Sequence, residues 1–184
     1  MENKWNNDKN NFLLTDQDKN LLAQLPDTVV TNIYTDFLYK DFLFKFRRLF
    51  RIRLELQQGL FTQDMKGNVK VEGKGKKGMP FPYYTLHDVN YSQFIIRLLS
   101  FMYTRQFEPG ELIAREMIES QEIIFVEKGI YNIGYEINKK EFLRRQFGPS
   151  TNIGGYQICT NGRYQFNYRA WTKMKCLAIK KQNF

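Results

Sequence analysis

The spacing of apolar residues changes once along this chain, near Gly110, and no other feature restricts its fold as strongly. Before that point apolar side chains recur every three or four residues, which is the spacing of one helix face. After it, as in residues 131–137, apolar and polar residues alternate, which indicates half-buried strands. Helices followed by an antiparallel β unit predict an α+β fold.

Two helices are predicted near the N-terminus. The first carries Leu21, Leu22 and Leu25, and it ends before Pro26 because a proline restricts the residue that precedes it. The second begins at Pro26 and has a single apolar face. The residues of that face are Val29, Val30, Ile33, Tyr34, Phe37 and Leu38.

The middle of the chain separates these helices from the strands. In residues 42–60 helix and strand patterns compete, so a helix is predicted only as far as Phe50. Residues 63–82 combine charges with glycines and have no apolar period, which predicts a loop. Residues 91–102 then predict a helix that lies on a core. The chain is therefore divided into a flexible tail (1–14), a helical segment (15–62), a Lys/Gly-rich loop (63–86) and a segment that contains the strands (87–184).

Three stretches define the strands and their turns. Residues 107–113 place Pro109 and Gly110 between two strands, and this pair makes a tight corner because Pro pre-sets φ and Gly accepts a positive φ. Residues 127–129 predict a hairpin turn that follows the strand 123–126. Residues 168–178 alternate again, as a strand pair or as one long bent strand.

Composition and motifs argue against several classes of protein. A formal charge of +9 favours acidic partners, anionic lipid or nucleic acid. Two cysteines are too few for a disulfide framework, and no stretch approaches the roughly 20 apolar residues of a membrane span. His87 is the only histidine, so the sequence holds no pair of histidine ligands, and residues 73–78 do not continue into a Walker motif. We predict neither an enzyme nor a metal site.

The three strand stretches resemble one known family. FEPGELI (107–113), IIFVEKGIY (123–131) and NYRAWTKMKC (167–176) are similar to parts of the cyclic-nucleotide-binding domains of ether-à-go-go, hyperpolarisation-activated and cyclic-nucleotide-gated cation channels. LLAQLP (21–26), with the helix after it, resembles the C-linker that joins such domains to the pore. The resemblance implies an N-terminal helical connector followed by an antiparallel β-roll (jelly-roll-like) with flanking helices. In these terms 15–62 is a C-linker-like segment, 63–86 is a loop insertion, and 87–184 is a cyclic-nucleotide-binding-like β-roll without most of the C-terminal lid helix.

In that family a phosphate cassette binds the nucleotide: a Gly-Glu pair holds the ribose, and an Arg followed by Thr or Ser holds the phosphate. Alignment puts Gly155 in place of the carboxylate, Tyr164 in place of the arginine and Gln165 in place of the hydroxyl, although a shift of one residue lets Arg163 serve. We predict a degenerate site with weak or no nucleotide binding and no cofactor; cyclic AMP or cyclic GMP is the alternative. The residues assigned to this site are Gly154, Gly155, Tyr156, Arg163, Tyr164 and Gln165.

The resemblance implies a non-enzymatic regulatory or interaction domain of a cation channel, at the cytoplasmic face of a membrane or in a cilium. In the family the connector helices pack against neighbouring subunits, so the face from Val29 to Leu38 is the predicted partner surface, with a homotetramer expected if the chain is part of a channel.

A structural subunit of a large ciliary or membrane-associated assembly is an alternative. A basic module for nucleic acid or anionic lipid is another, since residues 45–53 carry five basic side chains, although such a run is more typical of the wet face of a helix.

Overall fold

The computed structural model of the protein describes residues 16–52 and 84–183. The predicted tail and most of the predicted insertion lie outside these ranges. The described residues form five α-helices: α1 (Asp16–Leu22), α2 (Asp27–Asn32), α3 (Lys40–Phe50), α4 (Val89–Ser100) and α5 (Gly155–Cys159). A π-helical segment (Ile33–Leu38) joins α2 to α3, and a 3-10 turn (Lys181–Asn183) follows the last strand.

Eight strands form two four-stranded sheets in the described part of the chain. They are β1 (Tyr103–Phe107), β2 (Leu112–Ala114), β3 (Glu122–Lys128), β4 (Tyr131–Ile137), β5 (Lys140–Phe147), β6 (Asn152–Ile153), β7 (Asn167–Ala170) and β8 (Met174–Lys180). The strand order is β1-β8-β3-β6 in the first sheet and β2-β7-β4-β5 in the second, and every pair of strands is antiparallel. Side chains of both sheets share one core, so the predicted α+β fold with an antiparallel roll is confirmed.

The corners of this roll carry the chain from one sheet to the other. Gly110 adopts a φ of +85° between β1 and β2, as predicted for the Pro-Gly corner, and its N–H donates to the Ala170 carbonyl oxygen at 2.8 Å. The hairpin predicted at residues 127–129 is wrong, because β3 pairs with β8 and β6 whereas β4 pairs with β5 and β7. Alternation fixes which face of a strand is buried but not which strand lies beside it. A hairpin and a corner between sheets therefore look alike in sequence.

The π-helical segment splits the apolar face predicted for the second helix. The Tyr39 N–H donates to the Tyr34 carbonyl oxygen at 2.9 Å, five residues back instead of four. This wider turn shifts the buried register by one residue, so that Tyr34 and Tyr39 are buried while Phe37 stays 80% exposed. The sequence placed Phe37 and Tyr34 on one face because a regular period of 3.6 residues contains no such insertion.

Helix α4 confirms the helix predicted at residues 91–102. The Asp88 carboxylate caps its start by accepting the Tyr91 N–H at 3.1 Å. Ile95 and Leu99 are buried against the first sheet, but Phe94 is 52% exposed. Phe94 lies at the border of an apolar stripe that is only about 100° wide, where spacing alone does not settle burial.

The first sheet has a core on each of its faces. On the outer face, helices α3 and α4 pack against it, and Phe42, Phe46 and Phe50 of α3 surround Phe125 of β3 at ring-centroid distances of 5.4, 5.3 and 5.9 Å. On the inner face lies the core shared with the second sheet. The N-terminal helices and the roll are therefore joined by a continuous apolar contact.

We expect Phe125→Ala to lower the free energy of unfolding by about 3–5 kcal/mol, because it leaves a cavity among the three phenylalanines of α3. The matched control is Phe44→Ala on the same helix, where the ring is 56% exposed and contacts the Arg47 guanidinium; we expect a loss below about 1 kcal/mol. Urea midpoints measure both. Equal losses would contradict the packing of α3 on β3.

Candidate functional site

The residues assigned to the degenerate cassette form a strand, a short helix and a returning loop. β6 ends at Ile153, Gly154 turns the chain with a φ of +87°, and α5 begins at Gly155. A Cβ atom at Gly154 would lie 2.4 Å from the Glu122 carbonyl oxygen and 2.6 Å from Ser120 Oγ. Only glycine therefore fits this turn, on grounds of both φ and space.

Tyr164 is the centre of this region and points into the roll. Its side chain is 5% exposed, and its hydroxyl lies 2.9 Å from Ser120 Oγ. Ser120 donates its own proton to the Glu122 carbonyl oxygen at 3.1 Å, so the Tyr164 hydroxyl is the donor to Ser120. Two backbone hydrogen bonds, from the Met117 N–H to the Tyr164 carbonyl and from the Tyr164 N–H to the Ile118 carbonyl, fix the loop at 2.7 and 2.9 Å.

Aromatic rings fill the interior of the roll beside Tyr164. Tyr168 meets Tyr164 edge-on at 5.4 Å between ring centroids, and Tyr131 lies 6.1 Å from Tyr168. Burial raises the pKa of all three phenols above the usual value, since a phenolate inside this core would lack solvation. The interior beside the cassette is therefore apolar and occupied by the chain's own side chains.

Arg163 lies outside this interior. Its side chain is exposed, and its backbone forms a bridge with Glu119. The pKa of the Glu119 carboxyl is lowered, first by a hydrogen bond from Lys181 and then by the charges of Lys181 and Arg163. The carboxylate of Glu119 forms its ion pair with Lys181, at 2.5 Å, so the exposed Arg163 guanidinium contributes only its charge there.

The remaining assigned residues do not converge on a pocket. Tyr156 is 69% exposed, and Gln165 also faces solvent. Gly155 has no side chain, and a Cβ atom there would lie 2.5 Å from Asn152 Oδ1. The structure brings Gly154 and Tyr164 together and leaves the rest apart.

Two buried polar residues that support this region were missed from the sequence. Ser120 is 1% exposed and accepts the Tyr164 proton. Asn167 is also 1% exposed, and its Oδ1 accepts the Glu116 N–H at 2.9 Å, which ties the β2–β3 connection to β7. Both are common polar residue types in turn-rich sequence, so no local signal marked them as buried.

An open groove of about 670 Å³ lies elsewhere, where β1 and β3 begin and β8 ends. It is lined by Tyr103, Gln121, Glu122, Lys180, Lys181 and Gln182. Glu122 accepts a hydrogen bond from the Tyr103 hydroxyl and pairs with Arg105 at 3.4 Å, so its charge is already compensated. The groove shares no residue with the predicted cassette.

The described residues bear on metal binding, thiol reactivity and membrane crossing. Within 16–52 and 84–183, no cluster of His, Cys, Asp and Glu is arranged to hold a metal ion. Burial raises the pKa of the Cys176 thiol to about 12, which disfavours the nucleophilic thiolate. In the same residues, no helix combines the length and apolar character that crossing a bilayer requires.

Comparison with protein-family models finds no match, and no curated protein matches the chain. Among solved structures, the regulatory subunit of a cAMP-independent protein kinase A from Trypanosoma brucei is 18% identical with a TM-score of 0.43; the match covers 47% of this chain and 31% of that one. The corresponding subunit from Trypanosoma cruzi, bound to guanosine, is 18% identical with a TM-score of 0.45, covering 50% and 33%. The regulatory domain of Toxoplasma gondii protein kinase A with cAMP is 15% identical with a TM-score of 0.46, covering 53% and 36%. The matched part is about a third of each of these chains.

The buried phenols make stability fall at alkaline pH. Their folded-state pKa values are raised, so the unfolded chain loses its phenolic protons first, near pH 10, and each further rise in pH favours unfolding. We expect the urea midpoint to be constant below about pH 9 and to drop steadily above about pH 10. Tyr164→Phe removes one of these groups and should give a shallower alkaline slope; an unchanged slope would contradict burial of the Tyr164 hydroxyl.

Proposed function

We propose that this chain is a non-enzymatic regulatory or interaction domain with a cyclic-nucleotide-binding-like roll whose ligand cavity is filled by its own side chains. The observation that carries the proposal is Tyr164, buried between the sheets and hydrogen-bonded to Ser120 at the position where the family resemblance expects the phosphate-binding arginine. The Pro109-Gly110 corner, the antiparallel roll and the helix laid across it support the fold assignment.

The chemistry of the degenerate cassette supports weak or no nucleotide binding. Gly155 offers no carboxylate to a ribose hydroxyl, and the exposed Arg163 is already close to Glu119. Loss of a buried charged contact to phosphate costs roughly 2–5 kcal/mol, which is a factor of about thirty or more in affinity. The tyrosine cluster would also have to leave the interior before a purine ring entered.

Calorimetric titration with cyclic AMP and with cyclic GMP tests this proposal. We expect no saturable heat at nucleotide concentrations up to about 1 mM, because both the anion contacts and the space are missing. A titration of Arg163→Gln serves as the control for weak surface binding of the phosphate. Micromolar binding of either nucleotide to the natural chain would overturn the proposal, whether or not Arg163→Gln abolishes it.

We infer that the partner surface lies on the exposed part of the α2–α3 region. Tyr34 belongs to the outer core, and Val30 and Leu38 pack partly against it. Phe37 is 80% exposed and Val29 is 41% exposed, so these two side chains are accessible to a neighbouring subunit. The exposed Phe37 ring contributes little to the stability of the chain itself, because most of its apolar area remains in contact with water. A partner that covered the ring would gain the free energy of burying that area.

Sedimentation of the chain at several concentrations tests this surface. If a second copy covers it, we expect Phe37→Asp to weaken self-association at least about tenfold while changing folding stability by less than about 0.5 kcal/mol. The matched control is Phe94→Asp, which changes a phenylalanine that is 52% exposed on α4 and should leave association intact. A purely monomeric chain, or equal effects of both variants, rejects a self-association surface at Phe37.

We further propose that the helical segment acts as a C-linker-like connector of a channel-type assembly at the cytoplasmic face of a membrane. The contact between α3 and β3 supports this proposal, because a displacement of the helices would also displace the strand that they pack against. A fixed structural subunit of a ciliary or membrane-associated assembly would use the same contact without motion. Homotetramers in the sedimentation experiment favour the channel-type assembly over the fixed subunit.

A further inference from the structure

Two corners of the roll meet at one end and form a rigid tip, which we call the Trp171 tip and define as residues 128–130 and 171–173. The N–H groups of Trp171 and Thr172 both donate to the Ile130 carbonyl oxygen, at 2.9 and 3.2 Å. The Ile130 N–H in turn donates to Thr172 Oγ1 at 2.9 Å. The β3–β4 and β7–β8 corners are thus held together by three hydrogen bonds.

Large apolar side chains are exposed at the tip and beside it. Trp171 is 60% exposed, Ile130 is 37% exposed, and Phe147, which pairs with Tyr131 at the start of β4, is 36% exposed. The hydrogen bonds of the tip use the backbone of Trp171 and not its indole, so the corner itself does not require an aromatic residue here. An exposed tryptophan without a structural role indicates an external contact.

Lysines surround this apolar tip. Lys128 and Lys173 belong to the tip and are exposed. Behind them, Lys175 has a lowered pKa, first because of burial and then because of the charges of Lys128 and Lys45. Three carboxylates lie near this group. Glu108 pairs with Lys173 at 2.8 Å, Glu127 acts on Lys175, and Glu111 accepts the Glu108 N–H at 2.9 Å. Four lysines against three carboxylates leave this group net positive.

We propose that the Trp171 tip docks on an anionic lipid bilayer, with the indole and Ile130 in the headgroup region and the lysines on lipid phosphates. Tryptophan favours the boundary between lipid headgroups and acyl chains because one end of the indole is apolar and the other forms hydrogen bonds. Apolar insertion and lysine attraction are the two signals that together give stable membrane attachment.

The size and chemistry of the tip favour a bilayer over a protein partner. A stable protein interface buries about 800 Å² on each side, whereas three partly exposed side chains offer well under half of that apolar area. A bilayer needs no matching groove and accepts a small protruding tip. Positive charge around the tip matches the negative surface of lipids such as phosphatidylserine.

Tryptophan fluorescence provides a direct measurement, because the chain has only two tryptophans. In a Trp5→Phe background the emission reports Trp171 alone. With vesicles containing about one third phosphatidylserine we expect a blue shift, protection from acrylamide and co-sedimentation, all reduced as salt is added. With pure phosphatidylcholine vesicles we expect none of the three.

Variants separate the tip from the general charge of the chain. We expect Trp171→Ala to weaken partitioning roughly tenfold or more, and Lys128→Gln with Lys173→Gln to weaken it by about fivefold for each charge removed. The matched control is Lys139→Gln with Lys140→Gln, which removes the same charge at the opposite end of the β4–β5 hairpin and should change partitioning far less.

Three outcomes would overturn the proposal. Equal binding to neutral and anionic vesicles would show that attraction between the lysines and lipid phosphates does not drive binding. Binding to anionic vesicles that persists in Trp171→Ala would place the contact elsewhere on the chain. A Trp171 emission shift with an acidic peptide or an oligonucleotide, but not with anionic vesicles, assigns the tip to a different partner. Unchanged thermal unfolding of each variant keeps these results separate from loss of the fold.

Discussion

Strand β8 connects the two cores of this protein, and the rest of the structure depends on its burial from both sides. Cys176 and Ala178 face the interior of the roll, whereas Leu177 and Ile179 face the helices. Since successive side chains of a strand point to opposite faces, one strand can contribute to both cores only in the middle of a covered sheet. The packing of α3 and α4 on the first sheet is therefore continuous with the interior of the roll.

The interior of the roll differs from a ligand cavity in its contents. Tyr131, Tyr164 and Tyr168 occupy it, and the Tyr164 hydroxyl is held by Ser120. A filled interior stabilises one conformation without a ligand, because the apolar area that a ligand would cover is already buried. The two proposed contact surfaces, at Phe37 and at the Trp171 tip, lie outside this filled interior.

These two surfaces lie on different parts of the fold and fit different partners. Phe37 is exposed because the π-helical segment turns it away from the core, next to helices that offer a broad face. Trp171 is exposed at a narrow corner among lysines. The first geometry suits another protein subunit and the second suits an anionic membrane, so a domain of this kind could be held at a membrane by one surface and join an assembly through the other.

The sequence alone determined that helices precede strands, the corner at Gly110 and the helix that begins after Asp88, because each depends on local spacing or on a single backbone preference. It also determined that Gly155 lacks the carboxylate that the resemblance requires. Only the tertiary structure decided that residues 127–129 join two sheets, that a π turn exposes Phe37, and that Ser120 lies beneath Tyr164. These features depend on contacts between residues far apart in the chain, and the periodicity of a single segment carries no information about such contacts.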